Sequence, residues 1–535
     1  MQCARYLPDK ARTSPINTLQ SCKHIDCERQ RRKMEIMDYL IFPLSIFLVW
    51  RCIRVFTSRP IHSKSSTTKL PPGPRPLPII GNFFELGNKP HQSLANLSKT
   101  YGPLVTLKLG STTVINVSSP HTAEEVLHKN DHVMSNRPTL DAARALDHHE
   151  FSMVWLPAAA HWRNLRKVCT LQMLTVQRLN ASQALRQKKV QELVDHVHER
   201  CSSGLAVDIG RAAFTTALNL ISNTFFSIDL AHYRSNSSQD FKELVWNVME
   251  ETGRPNVADY LPALRFIDPQ GIRRRNAVYL KKLFDIFDGI INQRSQLRAS
   301  SVTSSGTNDV LDALLRLTKE NDHEFSYNDM KHLLLDLFIA GTDTTSSPLE
   351  WAMAELLHNP TTMAKARTEL QEVIGKDRPV EESDIAKLPY LQAVVKETLR
   401  LHPPAPLLSR HKAGSRRGNW RLHSAKGCAI GRDPNIWSNQ NSFVPERFLE
   451  SKIDFKGRDF ELIPFGSGRR ICPGLPLAYR MVHLMLASLL HSFDWKLENG
   501  MKAEDMDMSE KFGLTLQKAM PLRAIPVRVQ RPLPI

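Results

Sequence analysis

The chain has 535 residues, 71 of them basic and 54 acidic, for a net charge of +17. That balance suits an anionic membrane surface, an acidic protein partner or nucleic acid, but the absence of RNP-type motifs, zinc-finger spacing and basic-aromatic strand patterns argues against nucleic acid. The eight cysteines, at 3, 22, 27, 52, 169, 201, 428 and 472, make no disulfide framework and fit a reducing compartment.

Residues 1–33 are polar and basic, end in Arg29-Gln30-Arg31-Arg32-Lys33, and read as a disordered or non-native extension. Cys22, His24 and Cys27 within it are too few for a metal clip. An apolar run from Ile36 to Trp50, followed by Arg51 and Arg54, reads as a membrane anchor over 36–56. It approaches the roughly 20 residues a spanning helix needs, and no small-residue cleavage site of a secretory leader follows it. Lys69-Leu70-Pro71-Pro72-Gly73-Pro74-Arg75-Pro76-Leu77-Pro78 then reads as a stiff, extended hinge. No Pro/Gly/Ser-rich linker splits the remainder, so 79–530 is expected to form one large, mainly helical domain with small β-sheets.

Within that domain, Trp162-Arg163-Asn164-Leu165-Arg166 lies on a helical stretch, with Trp162 and Arg166 on one face. The longest helix signal runs from Ser326 to His358, opened by a Ser326/Asp329 capping box and stopped by Asn359-Pro360. Its middle, Ala340-Gly341-Thr342-Asp343-Thr344-Thr345, is a poor helix interior, and predicts a loosened turn where water and a small ligand can sit. Pro348 follows four residues after Thr344 and cannot donate to its carbonyl. Further on, Glu397 and Arg400 share a helix face at i and i+3, ahead of Pro445-Glu446-Arg447-Phe448.

The most specific run is Pro464-Phe465-Gly466-Ser467-Gly468-Arg469-Arg470-Ile471-Cys472-Pro473-Gly474, directly before an apolar helix pattern from Leu475 to Phe493. A thiol at a helix start feels the positive end of the helix dipole, which favours thiolate. Gly466, Gly468 and Gly474 are expected to let the backbone approach a bulky planar ligand, and Arg470 to neutralise an acidic group on it. A single thiolate ligand to haem iron favours O–O cleavage.

The pattern Phe465-x-x-Gly468-x-Arg470-x-Cys472-x-Gly474 resembles the haem-binding signature of the cytochrome P-450 superfamily. The resemblance implies the superfamily's fold, haem b with Cys472 as axial iron ligand, and cofactor contacts from Phe465, Gly468, Arg470, Gly474, Trp162, Arg166 and His411. It also implies that Thr344 hydrogen-bonds the activated oxygen and that Asp343 links it to a proton supply. Glu397, Arg400 and Arg447 become a buried structural charge triad.

Arg144–Phe151, Arg254–Tyr260 and Ile267–Gly271 resemble plant monoterpenol hydroxylases of the geraniol-hydroxylase type, with Phe151, Ala340, Leu407 and Leu514 as apolar walls for a small lipophile. The implied activity is hydroxylation with O2, with electrons from NADPH arriving through cytochrome P-450 reductase at the basic proximal face. The implied setting is a monomer in the endoplasmic reticulum membrane, catalytic domain toward the cytosol.

One segment departs from the pattern. Gly414–Cys428 shows neither alternation nor an apolar run and does not read as strand, where the family places two. Gly418–Cys428 can be back-translated so that reading one base later yields Glu-Ile-Gly-Gly-Phe-Thr-Val-Pro-Lys-Gly, the segment the family expects, which points to a local frameshift. Two alternatives to the monooxygenase follow: a haem-poor product of a damaged gene, and a haem-thiolate isomerase or dehydratase, against which the Asp343-Thr344 pair argues.

Overall fold

The computed structural model describes Phe47 and residues 70–300, 309–320, 324–375, 378–412, 420–424 and 426–529. The extension 1–33 lies outside these residues, as does the anchor 36–56 apart from Phe47. Among the described residues no helix is long and apolar enough to cross a membrane.

Residues 70–529 are mainly helical. The helices that position the site are α1 (Ala160–Cys169), α2 (Ile209–Phe226), α3 (Ser237–Gly253), α4 (Ile272–Ser300), α5 (Tyr327–His358), α6 (Pro389–Leu401) and α7 (Leu475–Ser492). The expected start of α5 is present: Ser326 Oγ accepts from the Asp329 N–H at 3.1 Å, and Asp329 Oδ2 accepts from the Ser326 N–H at 2.9 Å.

α5 is the spine of the domain. Phe338 on it sits among Phe225, Phe226, Phe241 and Phe287, with ring centroids 4.9–6.3 Å away. Such pairs contribute about 0.5–1.5 kcal/mol each beyond burial. Gly341 lets α2 come close, because a Cβ there would lie 2.5 Å from Ile221 Cδ1. One apolar core gathers α2, α4 and the first half of α5; the other gathers the second half of α5 with α6 and α7.

Three small sheets lie beside the helices. β1 (Leu104–Leu109), β2 (Thr112–Val117), β4 (Leu408–Lys412) and β5 (Trp420–Ser424) form the order β1-β2-β5-β4. β3 (Val207–Asp208), β6 (Phe493–Leu497) and β9 (Arg523–Arg528) form the order β3-β9-β6, and β7 (Glu510–Phe512) pairs with β8 (Leu516–Lys518) as a hairpin.

Two expectations need correction. Trp420–Ser424, expected not to be strand, pairs in parallel with β2 (Thr113 opposite Trp420) and antiparallel with β4 (Leu408 opposite Ser424). The ladders on both sides supply the backbone partners that its own side-chain pattern does not advertise. The proline segment is bonded to the domain that follows it: Thr106 donates to the Pro72 carbonyl at 2.8 Å, and Asn82 Nδ2 to those of Pro74 and Arg75.

The second correction concerns the middle of α5, which stays helical through residues 340–345 and past Pro348. Its hydroxyls turn back on the preceding turn instead of opening it: Thr342 Oγ1 donates to the Phe338 carbonyl at 2.8 Å and Thr344 Oγ1 to that of Ala340.

Candidate active site around Cys472

The loop before α7 places Cys472 on the wall of a mostly apolar cavity with about 300 Å³ of space for the centres of water-sized spheres. The backbone forms it by short-range bonds: the Cys472 N–H donates to the Phe465 carbonyl at 2.9 Å, and the Ile471 N–H to that of Gly468 at 3.1 Å. Gly468 has φ +63°, and a Cβ there would lie 1.9 Å from the Leu127 carbonyl oxygen. Its left-handed backbone and its contact with the neighbouring backbone both exclude a side chain there. Gly474 has φ −79°, a value open to any residue.

The N–H groups of Gly474 and Leu475 and the charge of Arg166 favour the Cys472 thiolate, as the helix start predicts. Burial outweighs them and pushes the free thiol up, so thiolate at neutral pH requires a further positive charge at the sulfur. A coordinated metal ion deprotonates a thiol in that way.

Seven expected site residues line this cavity: Cys472, Arg470, Phe465, Gly474, His411, Ala340 and Thr344. Gly468, Trp162, Arg166 and Asp343 stand behind the lining. Trp162 Nε1 donates to the Met153 carbonyl at 3.0 Å, and Arg166 Nη2 to the Ile471 carbonyl, next to Cys472, at 2.6 Å. Arg470 stacks over the Trp162 ring at 4.3 Å. His411 Nδ1 is bonded to the Met134 carbonyl at 2.7 Å.

Of the proposed apolar walls, Phe151 lies elsewhere, stacked on His332 with centroids 5.1 Å apart. Leu407 and Leu514 line a smaller cavity, of about 50 Å³, that shares Leu408 and Ser409 with the large one. Only Ala340 of the four borders the Cys472 cavity directly.

Two lining residues carry no motif and were missed from sequence. Arg137 is half-buried, donates to the carbonyls of Ser409 and Arg410, and leaves its Nε without a partner. Burial, with Arg470 nearby, pulls Arg137 down to about 9; burial, with Arg166 nearby, pulls Arg470 to about 10. Arg470 bonds only carbonyls, of Ser135, Met153 and Leu156. Among the described residues none of these three guanidiniums is paired with a carboxylate, so the cavity rim holds uncompensated positive charge. Asp336 is the second missed residue; it also borders the cavity and binds the Met153 N–H at 2.7 Å and the Ser152 hydroxyl at 2.8 Å. Nothing local distinguishes either side chain from surface charge in the sequence.

Beneath the loop, the expected triad is in place. Arg400 meets both Glu397 oxygens at 2.7 and 2.8 Å, and Arg447 Nε donates to Glu397 Oε1 at 3.1 Å. Arg400 also binds the carbonyls of Gly431 and Gln440, at 2.5 and 2.8 Å. Backbone acceptors satisfy its remaining donors, which is the condition under which a buried ion pair holds a fold together.

A thiol, a helix hydroxyl and two guanidiniums thus border one mostly apolar cavity. In a comparison with protein families, the cytochrome P-450 model matches residues 71–416 and 424–522. This chain belongs to the cytochrome P-450 family and is an oxygen-incorporating oxidoreductase whose family implies a thiolate-ligated haem.

Among similar proteins are a geraniol 8-hydroxylase of Catharanthus roseus, 50% identical over 497 residues (92% of this chain, 99% of that protein). A geraniol 8-hydroxylase of Swertia mussotii is 49% identical over 497 residues, covering 91% of this chain and 99% of that one. A drimenol monooxygenase of Persicaria hydropiper is 48% identical over 500 residues, covering 92% and 98%. The family match is interrupted at 417–423, inside the atypical segment and including the first residues of β5.

The residues present fit haem. Two guanidiniums that line the cavity without a carboxylate partner among the described residues, Arg137 and Arg470, match its two propionates, and Cys472 Sγ matches its iron.

Proposed function

We propose that this protein hydroxylates a small terpenoid alcohol, geraniol-like in size, with haem b held by Cys472. The observation that carries the reading is the juxtaposition of Cys472 with Ala340 and Thr344 across one apolar cavity. The geraniol 8-hydroxylases and the drimenol monooxygenase among its relatives supply the substrate class.

Haem, when bound, supplies the oxidising chemistry. The chain supplies the rest. Arg137, Arg470 and Arg166, with Trp162 and His411 beside them, neutralise and orient the propionates. The apolar lining, including Leu220, Ile221 and Leu337, excludes water and holds the substrate's hydrocarbon body. Thr344 presents a hydroxyl to the reacting centre, and Asp343 holds the proton reserve behind it.

An anchor over 36–56 sets the protein on the endoplasmic reticulum membrane as a monomer. There NADPH-cytochrome P-450 reductase delivers electrons to the basic face that bears Arg163 and Lys167 on α1. The break in the family pattern at 417–423 supports a frameshift in 414–428, which sequencing of the transcript decides.

The test is the carbon monoxide difference spectrum of the reduced protein, followed by product analysis with geraniol and with drimenol. A thiolate-type Soret band and a hydroxylated terpenol are expected. A band without terpenol product moves the substrate elsewhere, and no band removes the haem-thiolate reading for this chain.

A further inference from the structure

Thr344 and Asp343 are neighbours, yet they face opposite ways. Thr344 borders the Cys472 cavity; Asp343 does not, and is buried on the far side of α5 at 1% exposure. Its carboxyl is held by two residues about 170 positions further along the chain. The Thr515 hydroxyl donates to Asp343 Oδ2, and the Gln517 side-chain amide to Oδ1. One turn later, the Ser347 hydroxyl donates to the Leu516 carbonyl at 2.8 Å. Residues 515, 516 and 517 are thus each tied to α5.

The same hairpin forms a wall on the substrate side. Phe512, Gly513 and Leu514 line the smaller cavity that adjoins the larger one through Leu408 and Ser409. The hairpin is fastened on that side too: the Leu514 N–H donates to the Met249 carbonyl of α3, and the Leu516 N–H to that of Pro404, both at 2.8 Å. The last residue of the wall, Leu514, is followed directly by Thr515, the first group that grips Asp343.

We propose that Thr515 and Gln517 are positioning residues for Asp343, so that the hairpin bordering the substrate space also sets the orientation of the carboxyl that supplies protons. The inference rests on the proton-supply reading of Asp343 given above. Both donors are neutral, and the nearest influence of a full charge comes from Lys242 on α3. Burial raises the Asp343 carboxyl against these stabilising groups, which favours its protonated form. The carboxyl gives that proton toward the cavity and takes one back from solvent, with no net change in the enzyme. Losing either donor frees the carboxyl to rotate and alters its protonation, while Cys472 and the cavity lining are untouched.

The experiment uses the full-length holoenzyme with geraniol. Infrared spectra assign the Asp343 carboxyl band by its loss in Asp343→Asn; the band is then followed in Thr515→Val, Gln517→Leu and the double variant. The expected result is a shifted band, with product formed per NADPH consumed down several-fold. The reduced carbon monoxide spectrum and the substrate-binding constant should stay unchanged, and Thr515→Ser should restore both band and coupling. Thr515→Ala, which adds no bulk, replaces the valine variant if that one does not fold. An unmoved band in the double variant, beside a poorly coupled Asp343→Asn, overturns the inference alone. Full coupling in Asp343→Asn overturns the proton-supply reading, and the inference with it.

Discussion

The two sides of the Cys472 cavity are built by different means. On the proximal side, Glu397 and Arg400 lie three residues apart on α6, and Cys472 is bonded to Phe465 within its own loop. On the distal side, Asp343 is gripped from residues 515 and 517, and Asp336 holds residues 152 and 153, more than 180 positions back. The proximal side is assembled largely from short-range pieces, each recognisable by its spacing. The distal side is a set of long-range contacts on a helix whose own pattern says only which residues are polar. Roles read from spacing therefore hold their geometry below the haem site and change it above.

The widest contrast is expected from Cys472→Ser, which should abolish the thiolate-type Soret band and bring hydroxylation to background, whereas Thr344→Ala should leave the band intact. A normal band in Cys472→Ser breaks the assignment of the proximal side.

Next, Glu397→Gln should cost about 3–5 kcal/mol, because it leaves Arg400 buried without its anion. The measurement is chemical denaturation of the holoprotein, and a loss under 1 kcal/mol would show that the carbonyl contacts of Arg400 carry the loop without the acid. Gly468→Ala should cost about 1–3 kcal/mol, since the backbone conformation is left-handed and Leu127 stands in the way. Haem loss at lower temperature is the readout.

Acidification compares two buried histidines, one on each side. Burial pulls His332 on α5 from 6.5 down to about 3 and His483 on α7 from 6.5 to about 4. Below pH 6.5 the unfolded chain takes up these protons and the folded one does not, so stability is full above that pH and falls as the pH drops toward 4 and then 3. The melting temperature should decline between pH 7 and pH 5. His332→Phe should flatten the decline, and an unchanged slope would show that His332 gains its proton in the folded state.

The smallest change expected is a gain. Pro348→Ser supplies an N–H for the Thr344 carbonyl and should raise stability by about 1 kcal/mol, the net worth of one hydrogen bond. Denaturation midpoints measure it.

The sequence alone was enough for the family, the mainly helical fold, the capped helix α5, the thiolate loop and the charge triad. Apart from Arg447, which lies 50 positions from Glu397, the information in these motifs lies in residues a turn or a loop apart, where backbone geometry leaves few alternatives. The tertiary structure decided what no local pattern encodes. It turned the hydroxyls of Thr342 and Thr344 back onto their own helix, left Arg137 half-buried at the rim, stacked Phe151 on His332 and set Leu407 and Leu514 on an adjoining cavity. It also placed Trp420–Ser424 between two partner strands although its side chains give no strand signal. The physical reason is common to them all: the free energy of a buried polar group or a strand backbone depends on which distant segment satisfies it, and that partner is chosen only when the chain packs.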